Sequence, residues 1–207
     1  MIPKREIKPW HRINVWQFAT VNNLPKTLAM LYLIKGIFFR VIRKDGRQEF
    51  IHAYRVAQIL IFHGVCDDDV LAAALSHDVF EEISFKLETC IEQGFGDKVA
   101  LHVWILSHRD REDIVFYFAR IGEDFDTILI KLADRLHNLR NMTKNLNRWE
   151  FFTRERLLNQ IEETWEYVVP LAVRAAKITC IHREKIIEIH EEMLRSLADA
   201  EKALLDG

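Results

Sequence analysis

The sequence predicts an all-α protein of about eight to nine helices, and three observations support this fold class. Glycine and proline are scarce, at 7 and 4 of the 207 residues, whereas an all-β protein needs many tight turns. Apolar residues recur at helical spacing through most of the chain, and no segment reads as a strand. With 49% hydrophobic and 29% charged residues, the chain has the composition of a globular domain with a sizeable core.

The first helices can be placed from their start and stop signals. Pro25 suits the first turn of a helix, which we expect to end before the turn residues 44–46. The next helix carries His52, and Gly64 is its predicted C-terminal cap. The acidic residues 67–69 are predicted to cap the helix that follows.

Shorter helices are predicted in the middle of the chain. Ser84 and Asp97 are the N-cap candidates of helices at 85–93 and 98–107. A further helix is predicted at about 111–122.

Longer helices are predicted in the second half of the sequence. One begins near Phe125, and Thr153 can cap another, which we expect to bend at Pro170 because proline removes a backbone hydrogen bond. The last helix spans about 181–205. On this basis we expect a domain over residues 1–176, with its own N-terminal helix, and a helical extension over 177–207 that packs on it.

Charge and cysteine content exclude several classes of protein. The formal net charge of −2 gives no reason to expect a nucleic-acid or membrane partner, and no uncharged apolar stretch is long enough to span a bilayer. The three cysteines lie far apart without a CxxC pair, which favours reduced thiols. We therefore expect a cytoplasmic protein, and the sequence leaves open whether it forms a homo-oligomer.

Ionisable residues are concentrated at the end of the stretch 72–82. It is small and apolar up to Ser76, and four ionisable residues then follow: His77, Asp78, Glu81 and Glu82. Residues three or four apart share a helix face. Because the dipole opposes carboxylates at a helix C-terminus, they need a positive partner. A divalent cation would supply it.

Two other segments could complete such a site. His52 lies among apolar residues and is either a buried core histidine or a ligand. Asp134 lies just off the apolar face of its helix, with Asn138 one turn on. Its partner is either a cation or a salt bridge to Lys131 or Arg135.

Taken together, these residues predict a metal-assisted phosphohydrolase. The candidate ligands are two imidazoles and two carboxylates, those of His52, His77, Asp78 and Asp134. Nitrogen and oxygen ligands without a thiolate favour Mn²⁺, Mg²⁺ or Fe²⁺ over structural zinc. A cation lowers the pKa of water that it binds. Glu81 or Glu82 could orient that water or take its proton, and Asn138 could hold it.

A basic pair, Arg43 and Lys44, comes just before the helix of His52. Such a pair is either solvated surface or a contact for phosphate oxygens.

The order of these residues resembles the HD-domain phosphohydrolases, and in particular the alarmone hydrolase branch of the RelA/SpoT homologues. The similarity lies in residues 43–57, 73–82 and 130–140, with a weaker echo at 163–174, and covers about residues 25–176. It implies a helical HD bundle holding one Mn²⁺ with the four candidate ligands. It also implies that Glu81 and Glu82 activate water with the support of Asn138. The nucleotide contacts that it implies are Arg43, Lys44, Arg140 and Asn141.

The resemblance implies a reaction that removes the 3′-pyrophosphate from ppGpp or pppGpp and releases GDP or GTP. The chain departs from the family pattern at Glu82 in place of aspartate, at Ser107-His108 in place of threonine-lysine, and at Asn141 in place of threonine. These departures leave two alternatives open. One is an HD phosphohydrolase for another nucleotide, such as a dNTP, a nucleoside monophosphate or NADPH. The other is an alarmone-binding module without catalysis.

Overall fold

The computed structural model describes residues 10–38, 41–42, 49–78, 94–147 and 152–206. Within these ranges the chain forms helices and no strand, so the predicted all-α fold is confirmed. None of the described helices is both long enough and apolar enough to cross a membrane.

The described α-helices are numbered here in chain order. They are α1 (Val15–Val21), α2 (Pro25–Ile37), α3 (Glu49–Phe62), α4 (Asp68–Ser76), α5 (Gly96–Leu106), α6 (Ile114–Ile121), α7 (Phe125–Asn145), α8 (Arg154–Glu163), α9 (Val169–Ala176) and α10 (Arg183–Leu205). A 3₁₀ turn (Trp10–Arg12) precedes α1, and a π-helical segment (Thr164–Val168) joins α8 to α9. Counted with α8 and α9 as one interrupted helix, the described part of the chain has nine helices, as predicted.

Most of the predicted start and stop signals act as expected. Pro25 lies in the first turn of α2, and α7 begins at Phe125. The Thr153 side chain accepts a hydrogen bond from the Arg156 amide and caps α8. Gly64 follows α3 with φ 80°, in the left-handed region where a residue without Cβ is unstrained.

Some predicted boundaries are wrong. Asp97 is not an N-cap, because α5 already begins at Gly96 and Asp97 lies in its first turn. Helix α6 begins at Ile114 rather than at 111, because the Asp113 carboxylate caps it by accepting from the Val115 amide at 2.8 Å.

Two further predictions concern the bend at Pro170 and the helix predicted at 85–93. The interruption before Pro170 takes the form of the π segment, which lies where proline lacks the N–H for the carbonyl of residue 166. Ser84 and the helix predicted at 85–93 lie outside the described residues.

The acidic residues 67–69, at the start of α4, have three different partners. The Asp67 side chain caps α4, as predicted, by accepting from the amide of Val70 at 3.0 Å. Asp68 instead caps α2: its two carboxylate oxygens accept from the amides of Lys26 and Thr27 at 2.9 and 2.7 Å. Asp69 pairs with the Lys26 ammonium at 2.6 Å. Residues 68 and 69 therefore join two helices.

Replacing Asp68 by alanine should lower the free energy of unfolding by about 1–2 kcal/mol, because the N-terminus of α2 then loses its cap. Urea unfolding followed by circular dichroism measures this. Asp97→Ala, an exposed first-turn aspartate, is the control and should cost less than about 0.5 kcal/mol. Equal unfolding midpoints for the two variants would contradict the capping role.

Helix α7 lies at the centre of the bundle. It contacts α3, α4, α5, α6, α8, α9 and α10, and Leu129, Leu132 and Leu136 on it are buried to within 1%. Helix α10 packs along α7 and buries Met193 and Leu197 in the same core. The division of the chain at residue 176 stays a prediction.

An ion-pair cluster joins α5, α7 and the start of α10. The Asp126 carboxylate lies 2.9 Å from His182 Nε2 through one oxygen and 2.9 Å from Lys98 Nζ through the other. Burial alone would raise the pKa of Asp126, but its hydrogen bonds to His182 and Lys98 hold that pKa well below its usual range. The carboxylate is therefore charged in the folded protein down to low pH.

This cluster gives a pH-dependent stability. A lowered folded-state pKa adds stability above the unfolded pKa of about 3.9, and that stability is lost as the pH falls towards the folded pKa. Asp126→Asn should therefore cost about 1–2 kcal/mol at pH 7 and progressively less between about pH 4 and pH 2. Urea unfolding at several pH values measures this; a cost independent of pH would contradict the ion-pair interpretation.

Candidate metal centre

Three helices bring the four predicted ligands together. His52 lies in the middle of α3, His77 is the C-cap of α4 with Asp78 directly after it, and Asp134 lies near the centre of α7. The two histidines and Asp134 are buried, at 2%, 4% and 5% exposure. Such groups are rarely buried unless they are paired or bound to a metal.

The side-chain atoms of these residues converge on one point. The Nε2 atoms of His52 and His77 lie 3.2 Å apart. His52 Nε2 is 3.2 Å from Asp134 Oδ1 and 3.3 Å from Asp78 Oδ2. His77 Nε2 is 3.1 Å from Asp78 Oδ1 and 3.8 Å from Asp134 Oδ1.

These separations suit a divalent cation. An octahedral ion with bonds of about 2.1 Å keeps neighbouring ligand atoms about 3.0 Å apart. Three of the ligand atoms, from His52, His77 and Asp134, form a buried group that could hold an ion. The residues present therefore fit a metal with nitrogen and oxygen ligands.

The outer nitrogen of His77 fixes its orientation. His77 Nδ1 donates a hydrogen bond to the Ala74 carbonyl at 2.8 Å. A carbonyl can only accept, so the neutral ring carries its proton on Nδ1 and directs the Nε2 lone pair at the cluster.

The histidines and carboxylates of the cluster shift one another's pKa values. Burial alone would lower the pKa of His77, but Asp78, and then Asp134, raise it to about 9. Burial alone would raise the pKa of Asp134, whereas Lys131, His52 and His77 hold it well below its usual range. The carboxylates thus favour a positive charge at this point, as they would favour a cation.

Asp134 has partners on both oxygens. Oδ1, which faces the histidines, also accepts from Asn138 Nδ2 at 2.7 Å, and Oδ2 accepts from Lys131 Nζ at 3.1 Å. The salt bridge to Lys131 and the approach to the histidines therefore coexist. Arg135 turns away to Gln160. Asn138 supports Asp134 directly, and its predicted contact with water stays a prediction.

A cavity of about 260 Å³ lies against this cluster. His77, Asp78 and Asp134 form one wall, and Asn138 lies beside them. Two of the other lining residues, Leu106 and Ile114, are apolar. The remaining ones carry polar groups: His108, Tyr117, Lys131, Arg135, Gln160 and Glu163. Burial lowers the pKa of Lys131, but Tyr117 and Asp134 raise it overall, so its ammonium is charged in the cavity wall.

Two of the predicted nucleotide contacts point elsewhere in this structure. Arg140 pairs with Glu192 on α10, and it lines a different cavity. The Asn141 side chain accepts from Asn145 Nδ2 at 3.0 Å. Neither residue lines the cavity at the cluster, and their role in substrate binding stays a prediction.

The other four predicted site residues are Arg43, Lys44, Glu81 and Glu82. All four lie outside the described residues.

Sequence reasoning missed two residues next to the cluster. The Glu49 carboxylate, buried at the start of α3, forms a possible ligand group with His52 and Asp78 in which all ligand atoms lie within 4.8 Å of one another. Its spacing of three residues from His52 places both on one helix face, a signal that could have found it. His137 contacts the outer nitrogen of His52 at 2.8 Å, and it follows Asp134 by three residues on α7.

Comparison with known proteins agrees with this geometry. A family model described as HD domain matches residues 35–107, which include both histidines and Asp78. A probable GTP pyrophosphokinase of Mycobacterium leprae is 34% identical over 142 residues, and the GTP pyrophosphokinase of Streptomyces coelicolor is 33% identical over 141. A GTP pyrophosphokinase rsh of Brucella ovis is 32% identical over 143 residues.

These alignments cover 64% of the chain but only 17%, 16% and 18% of the three relatives, in the same order. The chain thus spans about a sixth of the length of the curated relatives that it matches.

A solved structure matches a larger share of both chains. The protein in that structure is described as a metazoan ortholog of SpoT that hydrolyses ppGpp and plays a role in starvation responses. It superposes with a TM-score of 0.62 at 26% identity and covers 81% of this chain and 94% of that one.

The helical bundle and the histidine–aspartate cluster thus coincide with a match to the HD-domain model over residues 35–107. The chain is similar to SpoT/RelA homologues in sequence and in structure, so the resemblance stated from the sequence is confirmed.

Proposed function

We propose that the protein is a metal-dependent hydrolase that removes the 3′-pyrophosphate from ppGpp or pppGpp. The observation that carries the proposal is the meeting of four ligand atoms from three helices beside a polar cavity. The structural match to a protein described as hydrolysing ppGpp supports the choice of substrate. The longer relatives are named for pyrophosphokinase activity, and the chain spans only about a sixth of them.

Mn²⁺ is the cation that we propose for the site, held by His52, His77, Asp78 and Asp134. The ligand atoms are nitrogen and oxygen without a thiolate, a set that suits Mn²⁺, Fe²⁺ or Mg²⁺. When bound, a divalent cation supplies Lewis acidity towards water and phosphate oxygens.

The protein's own groups then have separate tasks. Asn138 and Lys131 hold the two oxygens of Asp134, which keeps this carboxylate aimed at the histidines. The Lys131 ammonium places a positive charge in the cavity wall, where it would offset part of the substrate's phosphate charge.

Further roles follow from the sequence. We propose that Glu81 or Glu82 takes the proton of the attacking water, and that Arg43 and Lys44 contact the phosphates.

The remaining proposals concern organisation. We propose that residues 1–176 form the hydrolase domain, that 177–207 extend it, and that the protein acts in the cytoplasm on a small nucleotide.

Product analysis tests the proposed reaction. The protein is incubated in Mn²⁺ with ppGpp, pppGpp, dGTP, GMP and NADPH, and the products are separated by ion-exchange chromatography. We expect GDP and pyrophosphate from ppGpp, GTP and pyrophosphate from pppGpp, and no release in excess EDTA. Turnover of dGTP, GMP or NADPH without turnover of ppGpp would replace the proposed substrate, and binding of ppGpp without any turnover would indicate a binding module.

A further inference from the structure

The outer nitrogen of His52, Nδ1, contacts a group that can either donate or accept a hydrogen bond. His52 Nδ1 lies 2.8 Å from His137 Nδ1, so the two imidazoles share a hydrogen bond. Both side chains are buried, at 2% and 8% exposure. His77 donates instead to a carbonyl, which can only accept. An imidazole nitrogen can donate or accept, so the direction of the bond between His52 and His137 is not fixed by chemistry alone.

The direction of this bond decides whether Nε2 of His52 presents a lone pair or a proton to the cluster. If His137 Nδ1 accepts, His52 carries its proton on Nδ1, and its Nε2 lone pair faces the cluster as a metal ligand must. If His137 Nδ1 donates, the His52 proton lies on Nε2. That proton can then be donated to Asp134 Oδ1 or Asp78 Oδ2, which lie at 3.2 and 3.3 Å.

The second form suits the protein without a cation, because it gives the two carboxylates a hydrogen-bond donor. The first form suits the protein with a cation. The two histidines therefore provide one arrangement for each state without any movement of the backbone.

We propose that His137 is a positioning residue that sets the tautomer of His52, and that the hydrogen bond between them reverses when the metal binds. The inference rests on the metal site of the proposed function, and not on the identity of the nucleotide. His137 lies on α7, three residues after Asp134, and its ring packs nearly perpendicular to that of Trp10, with centroids 6.5 Å apart. One helix thus supplies a ligand and the residue that orients another ligand.

Two substitutions separate the hydrogen bond from the volume of the ring. In His137→Asn, the amide offers an acceptor and a donor near the position of Nδ1, whereas His137→Leu fills similar space and offers neither. We expect the Kd for Mn²⁺, measured by calorimetry at fixed pH, to rise about 10- to 100-fold in H137L. H137N should recover most of the wild-type affinity.

The control is His63→Leu. The side chain of His63 is also largely covered, at 7% exposure, and it pairs with Glu188 and Glu192 on α10 rather than with the cluster. This variant should keep the wild-type Kd for Mn²⁺, whatever its effect on the unfolding temperature.

Imidazole nitrogen NMR on the wild-type protein provides a second test that needs no variant. At one pH, the His52 proton should be on Nε2 without metal and on Nδ1 with Zn²⁺ as a diamagnetic probe. The proposal is overturned if His52 has the same tautomer in both samples, if H137L keeps the wild-type affinity, or if H137N binds as weakly as H137L. Tight Mn²⁺ binding with the expected tautomers but without ppGpp turnover would support this proposal and contradict the proposed hydrolase.

Discussion

Asp134→Ala is expected to remove both metal binding and hydrolysis. The variant loses the oxygen that lies 3.2 Å from His52 Nε2. It also removes the carboxylate that pairs with Lys131 in the wall of the cavity. Asp134 is a proposed ligand, and loss of a ligand should cost more than the 10- to 100-fold in affinity that is typical of outer partners. We therefore expect bound Mn²⁺, measured by elemental analysis after gel filtration, to fall to background, together with pyrophosphate release from ppGpp.

The matched control is Asp199→Ala, which removes an exposed aspartate on α10. It should retain one Mn²⁺ and wild-type turnover. Circular dichroism shows whether Asp134→Ala still folds. A folded Asp134→Ala protein that hydrolyses ppGpp without bound metal would refute the proposed mechanism.

Leu129→Ala is expected to destabilise the whole bundle. Leu129 is fully buried on α7, the helix against which most of the others pack. Removing a buried leucine side chain loses its transfer free energy and leaves a cavity, which together cost about 2–5 kcal/mol. Urea unfolding should show a lower midpoint with a single cooperative transition.

Leu158→Ala is the matched control for this variant, because Leu158 on α8 is 45% exposed. It should change the free energy of unfolding by less than about 0.5 kcal/mol. A similar small change for Leu129→Ala would show that α7 is not the centre of the core.

The sequence predicted the helices well because their signals are local. Pro25, Gly64 and Thr153 each act within a few residues of their own position in the chain. Asp68 could not be predicted in the same way, since the amides that it caps, those of Lys26 and Thr27, lie more than 40 residues away.

In the candidate site, the relative positions of residues on the same helix could be predicted from helical geometry. Asn138 follows Asp134 by four residues, so both lie on one face of α7, and they are hydrogen bonded. Arg140 follows Asp134 by six residues, which turns it by about 240° around a helix of 3.6 residues per turn. That rotation places Arg140 on another face of α7, where it pairs with Glu192, and its role in substrate binding stays a prediction.

The contact between His52 and His137 was beyond sequence reasoning. The residues are 85 positions apart, and only the packing of α3 on α7 brings them together. The same packing brings His52 to Asp134. That meeting was predicted from the chemistry of the residues rather than from any distance in the sequence.

Anomalous diffraction from crystals grown with Mn²⁺ tests the central claim most directly. A single peak within bonding distance of His52 Nε2, His77 Nε2 and carboxylate oxygens of Asp78 and Asp134 is the result that we predict. A peak at another position, or crystals grown in saturating Mn²⁺ that show none at this cluster, would contradict it.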